Sequence, residues 1–317
     1  MDNHDDLYSD SEDDSEENDD LEYACNEIYN GSKSLTELNL SGQCISQAGM
    51  QRLADSCHLR RPGKVSERKV TRTTNLRCLR LTLNDLRPSA AHDLVRLIAA
   101  SPRLRVLYLN YNYLSNEGTG PVANACFAQM QICDLEGNAI GVEGAQSLAV
   151  NLKDTRCTIT KLNLNHNHLK DDGVKEIAEA LKENTTVKFL GLEFNGITER
   201  GLLVLDDVLR KGENLTMETL LLYEAPDYQC VPPRFPEHEV HTAKVEFGQR
   251  QCPCNRCPIH SQILYFLALN SAGRRFFSKM EIPMGLWPTI LKRLSLHNPA
   301  FLHAAVRERP DIVMQRR

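Results

Sequence analysis

Seven times between residues 35 and 223 the chain repeats one apolar spacing, a triad at i, i+3 and i+5. The triads are Leu35/Leu38/Leu40, Leu76/Leu79/Leu81, Leu104/Leu107/Leu109, Met130/Cys133/Leu135, Ile159/Leu162/Leu164, Val187/Leu190/Leu192 and Met217/Leu220/Leu222. Their central residues are separated by 41, 28, 26, 29, 28 and 30 positions. A unit this small cannot bury an apolar face alone, so copies must stack on one another around a continuous core. The longer first interval marks an insertion.

Other positions keep the same rhythm. An amide follows each of the first six triads, at Gln43, Asn84, Asn112, Asn138, Asn167 and Asn195. Two residues later comes Ile45, Leu86, Leu114, Ile140, Leu169 or Ile197, and then Gly49, Gly118, Gly144, Gly173 or Gly201, with Ala90 in the second copy. Alternation in the triad predicts a short strand with its leucines on one face. The amide falls in the bend after the strand, where its side chain can bond backbone groups without a strand partner. Beyond the glycine the spacing turns helical, as in Ala145/Leu148/Ala149/Leu152 and Val174/Ile177/Ala178/Leu181.

The pattern Leu-x-x-Leu-x-Leu-x-x-Asn-x-Leu/Ile, at about 28 residues, resembles leucine-rich repeats of the ribonuclease-inhibitor type. The resemblance covers residues 35–223. It implies an α/β solenoid with a curved parallel sheet inside and helices outside, and it says little about function.

Charge divides the remainder of the chain. Residues 1–20 hold eleven acids and no base, while the other residues carry 37 bases against 31 acids. Residues 1–22 are therefore expected to be a disordered acidic tail. Within it Ser9 and Ser11, each with an acid three residues on, resemble acid-directed kinase targets. Residues 58–74 read as a basic inserted surface loop broken by Pro62 and Gly63. The solenoid is expected over 23–223. The overall charge of −5, without a basic stripe interleaved with aromatics, argues against nucleic acid as partner. The longest apolar run, 263–269, is far shorter than the roughly 20 residues of a membrane span, so no membrane insertion is expected. The N-terminus lacks the basic and apolar pattern of a secretory signal. Eleven cysteines in a chain of this length read as free thiols in a reducing cytoplasmic, or also nuclear, compartment.

Residues 224–317 abandon the repeat. A Pro-rich stretch leads to helices expected over 259–270, 286–296 and 299–307, a small module closing the open end of the solenoid. Its strings Asn270-Ser-Ala-Gly-Arg-Arg, Gly285-Leu-Trp-Pro and Asn298-Pro-Ala-Phe-Leu resemble a C-terminal module of predicted microalgal proteins, with no implied chemistry. Cys252, Cys254, Cys257 and His260 offer thiolate and imidazole ligands for a structural zinc. Four ligands in nine residues is tight, and a reduced loop is the competing reading. Asn165-His166-Asn167-His168 places two histidines on a repeat bend, facing solvent.

No nucleotide, hydrolase or metalloprotease motif occurs, so no catalytic residue is assigned. The side chains between the core leucines instead point into the hollow of the solenoid. Arg80, Tyr108, Asp134, Glu136, Lys161, Phe189, Glu193, Leu221 and Tyr223 form a polar surface with embedded aromatics, suited to a protein partner. The expected function is that of a monomeric protein-interaction scaffold. An alternative comes from Ran-type GTPase-activating proteins, which share this repeat and carry an acidic tail; it implies a small GTPase as partner. A third reading, a fragment of a nod-like receptor, lacks a nucleotide-binding region ahead of the repeats.

Overall fold

The computed structural model describes residues 19–59, 70–71, 73–222 and, further on, Ile263, Leu267 and Asn270. The elements run α1 (Asp19–Tyr29), β1 (Glu37–Asn39), α2 (Gln47–Ser56), β2 (His58–Leu59), β3 (Val70–Thr71) and β4 (Cys78–Arg80). They continue α3 (Ala91–Ala99), β5 (Val106–Tyr108), α4 (Ser115–Cys126), β6 (Ile132–Asp134), α5 (Val142–Lys153) and β7 (Lys161–Asn163). The last are α6 (Lys170–Glu183), β8 (Phe189–Gly191), α7 (Glu199–Lys211) and β9 (Thr219–Leu221).

Seven strands form one parallel sheet in the order β1-β4-β5-β6-β7-β8-β9. The register follows the triads: Leu79 pairs Leu107, Leu107 pairs Cys133, Leu162 pairs Leu190. Each strand therefore adds one leucine, or Cys133, to the same buried row. The helices stack beside one another on the opposite side of the core, α2 on α3 through α6 on α7. The fold is an α/β leucine-rich-repeat solenoid.

The buried amides hold the layers in register. Asn167 Oδ1 accepts from Asn138 N at 3.0 Å and Ile140 N at 2.9 Å, while its Nδ2 donates to Leu135 O and Leu164 O, both at 3.0 Å. Asn84, Asn112, Asn138 and Asn195 likewise bridge to the preceding repeat. Each satisfies peptide groups in a bend where no strand neighbour exists. Gln43, in the first repeat, is half-buried, and its Nε2 donates to Asp20 Oδ2 in α1 at 2.9 Å.

The repeated glycines answer to space and not to backbone freedom. A Cβ on Gly201 would lie 2.6 Å from Asp171 Oδ1 and 2.8 Å from Ile197 Cγ2. Asp171 Oδ1 accepts from the backbone N–H groups of Thr198 and Gly201, so the start of α6 caps the start of α7. Asn116 does the same for α5, accepting from Gly141 N and Gly144 N.

Three features differ from the sequence reading. The expected tail over 1–22 gives way to helix at Asp19: α1 buries Leu21, Ala24 and Ile28 against the first repeat, with Asp19, Asp20 and Glu22 in its first turn. Acids there complement the helix dipole, so the composition that reads as disorder also suits a helix start. The insertion is not irregular at its ends, because β2 and β3 pair antiparallel, His58 with Thr71 and Leu59 with Val70. Finally, Asn163, Asn165 and Cys78 flank core leucines, so alternation turns them toward the open hollow, yet all three are buried.

At the far end Ile263, Leu267 and Asn270 are helical, one turn apart, and lie on one face. Ile263 and Leu267 join the continuous core, and Asn270 Nδ2 donates to Asn214 O at 3.2 Å and Met217 O at 3.0 Å. This extends a second amide ladder, in which Asn184 Nδ2 donates to Leu152 O and Asn214 Nδ2 to Leu181 O. The remaining expected helices lie outside the described residues.

Candidate binding face

The strand side chains opposite the core form the candidate site. On β4 and β5, the Arg80 guanidinium lies over the Tyr108 ring at 4.4 Å from its centroid. On β7 and β8, the Lys161 ammonium lies over the Phe189 ring at 4.6 Å. Register explains both: Arg80 is opposite Tyr108, and Lys161 is opposite Phe189. Each pair leaves an aromatic ring half-buried on the sheet with a cation on its face.

Between these pairs the surface is acidic and tightly bonded. Asp134 Oδ1 accepts from Glu136 N at 3.2 Å, and burial pushes the Asp134 carboxyl above the usual range. Glu136 Oε2 accepts from Asn163 Nδ2 at 2.9 Å, and Glu136 Oε1 accepts from Tyr111 Oη–H at 2.6 Å. That bond, above all, pushes the Tyr111 phenol up to about 12. Glu193 Oε2 accepts from Asn165 Nδ2 at 3.0 Å, and Asn165 Oδ1 accepts from Glu193 N at 2.8 Å. Burial, and next the neighbouring Glu136 charge, raise the Glu193 carboxyl.

Gly191 makes this network possible. It faces Leu221 on β9, and a Cβ on it would lie 2.7 Å from Asn165 Oδ1. The two asparagines thus lean across β8 into the space a side chain would fill, which is why they are buried. The structure brings Asp134, Glu136, Lys161, Phe189 and Glu193 together, with the Arg80–Tyr108 pair toward one end and Leu221 toward the other. Tyr223 lies outside the described residues, as do Cys252, Cys254, Cys257, His260, Ser9 and Ser11. Among the described residues no three His, Cys, Asp or Glu side chains are grouped to hold a metal ion. No helix among them is long and apolar enough to cross a membrane. Their seven cysteines are free thiols, five of them buried.

Sequence reasoning missed the row beside the face. The residue before each ladder amide has a left-handed backbone: Gly42, Leu83, Tyr111, Gly137, His166 and Phe194 all lie between φ +54° and +69°. The signal was available, because Gly42 and Gly137 occupy this step in two copies. His166 and His168 are solvent-facing, as the bend predicts.

A helix-backed parallel sheet with buried amide ladders defines a leucine-rich-repeat protein. Consistent with this, the family model described as "Leucine Rich repeat" matches residues 134–149 and 156–178. The chain is similar to "NACHT, LRR and PYD domains-containing protein 5" of Mus musculus, 26% identical over 197 residues, covering 61% of this chain and 16% of the relative. Similarity to "Ribonuclease inhibitor" of Sus scrofa is 26% over 186 residues, 57% of this chain and 38% of that one. "RAN GTPase-activating protein 2" of Arabidopsis thaliana is 31% identical over 110 residues, 33% of this chain and 19% of the relative. The chain thus spans well under half the length of each of these relatives.

Proposed function

We propose that the chain is a non-catalytic protein-interaction scaffold that holds a protein partner against the concave sheet. The observation that carries this reading is the pair of half-buried rings, Tyr108 and Phe189, set in a fixed polar surface. Aromatic anchors within a polar rim contribute most of the affinity in many interfaces. The repeat length and the similarity to ribonuclease inhibitor support assigning the repeats to the ribonuclease-inhibitor type. Cytoplasm, or also the nucleus, is the proposed compartment, and monomer the proposed state.

The test is affinity purification of the full-length chain from its own cells, followed by direct binding of each recovered protein to purified Tyr108→Ala and Phe189→Ala variants. A direct partner should bind each variant at least tenfold more weakly, with folding unchanged by circular dichroism. Undiminished binding to both overturns the concave-face reading.

The second reading, a regulator of a small GTPase, is favoured by the 31% identity to RAN GTPase-activating protein 2. Under it, adding the chain should speed GTP hydrolysis by Ran, or its purified partners should include a small GTPase. Neither result would leave that reading without support.

A further inference from the structure

The left-handed row is expensive where it is not glycine. A non-glycine residue in this conformation is strained, because its Cβ crowds the following carbonyl oxygen. Glycine, present at Gly42 and Gly137, would avoid that cost. Yet Leu83 and Tyr111 are large and substantially exposed, 60% and 41%, so burial does not repay it. Backbone bonds between repeats fix the row: Leu83 N donates to Asn110 O, Tyr111 N to Glu136 O and His166 N to Glu193 O.

The side chains run together. Tyr111 lies across Gly137, where a Cβ would sit 2.7 Å from its Cδ1. Its ring centroid is 6.3 Å from that of His166, which stacks on Phe194 at 4.4 Å and 16°. Directly beside this aromatic line stand Glu136 and Glu193, each one residue before the row. His166 Nε2 lies 3.8 Å from Glu136 Oε1, and Lys161 is engaged on the Phe189 ring. The line is apolar on one side and carries an excess of negative charge on the other.

We propose that this edge of the solenoid binds an extended basic segment of a protein partner, its Arg or Lys heads on Glu136 and Glu193 and its stems along Tyr111, His166 and Phe194. The inference rests on the concave-face reading and names the chemistry of its partner. Geometry sets the spacing. Glu136 and Glu193 are two repeats apart, which is about 10 Å at the usual strand separation, and one three-residue turn of a polyproline-II segment spans about 9 Å while returning i and i+3 to the same side. Basic residues at i and i+3 therefore reach both carboxylates. Planar guanidinium suits both the rings and the carboxylates, so Arg is preferred over Lys.

The test uses the full-length chain and a fluorescently labelled twelve-residue peptide with Arg at every third position and Gly or Ser between. A matched peptide with Glu in place of Arg is the comparison, and binding is read by anisotropy. The Arg peptide should bind at least tenfold more tightly than the Glu peptide. Glu136→Gln/Glu193→Gln should remove at least tenfold of that affinity, and Tyr111→Ala several-fold. Glu199→Gln, on the helical side, should change it less than twofold. Equal binding of the two peptides, an undiminished double variant, or an equal loss in Glu199→Gln each overturns the proposal. Purified partners separate it from the concave-face reading. Loss with Tyr108→Ala but not with the double variant sinks the edge alone; loss with the double variant but not with Tyr108→Ala or Phe189→Ala sinks the floor alone.

Discussion

At the scale of the residue, one asparagine can hold two repeats together. Replacing Asn167 with Ala strips partners from Asn138 N, Ile140 N, Leu135 O and Leu164 O in a buried bend. Unpaired buried peptide groups are costly, and we expect a loss of about 3 kcal/mol in urea unfolding. Glu193 makes an opposite contribution. Its folded-state carboxyl titrates above the ordinary range, first because of burial and then because of Glu136. The folded protein therefore holds that proton more tightly than the unfolded chain, so stability falls as pH rises from the ordinary glutamate range through the raised value. Glu193→Gln removes this dependence. Its melting temperature should gain on the parent's as pH increases across that window, and a constant difference would refute the assignment.

Elements depend on close approach between neighbours. The first turn of α7 rests on Asp171 and Ile197 because Gly201 has no side chain there. Gly201→Ala forces Asp171 away from the N–H groups it caps, and we expect about 1–3 kcal/mol of destabilisation by denaturant titration. The same logic separates readable elements from unreadable ones. Strand and helix positions repeat, so every copy reinforces the assignment. Helix α1 occurs once, within an acidic run, and its three buried residues are too few to stand out against the charge. The pairing of β2 with β3 is equally unrepeated, which is why a basic, Pro-containing stretch reads as irregular loop.

For the whole molecule, stability is a sum of contacts between neighbours along the stack. The two ends of the stack have only one neighbour each. At the first, α1 covers the core with Leu21, Ala24 and Ile28; at the other, Ile263, Leu267 and Asn270 do so. Ile263→Asp places a charge in that last contact. Hydrogen exchange should quicken in α7 and β9 while β5 and β6 keep their protection. Uniform loss of protection along the sheet would show that the solenoid unfolds as one unit.

The period of the sequence determined the solenoid, the buried leucine row, the amide ladder and the identity of most face residues. It did so because a stacked repeat restates each packing requirement in every copy, and strand alternation assigns sides without any knowledge of distant contacts. Which face residues remain open was decided only in three dimensions. Asn163 and Asn165 are buried because Gly191, from the next repeat, leaves a gap they fill. The Glu193 carboxyl is raised by burial and then by Glu136, two strands away, and the aromatic line depends on Tyr111 crossing Gly137 to approach His166. These are relations between side chains of different repeats, whose sizes vary independently, so no spacing within a single copy encodes them.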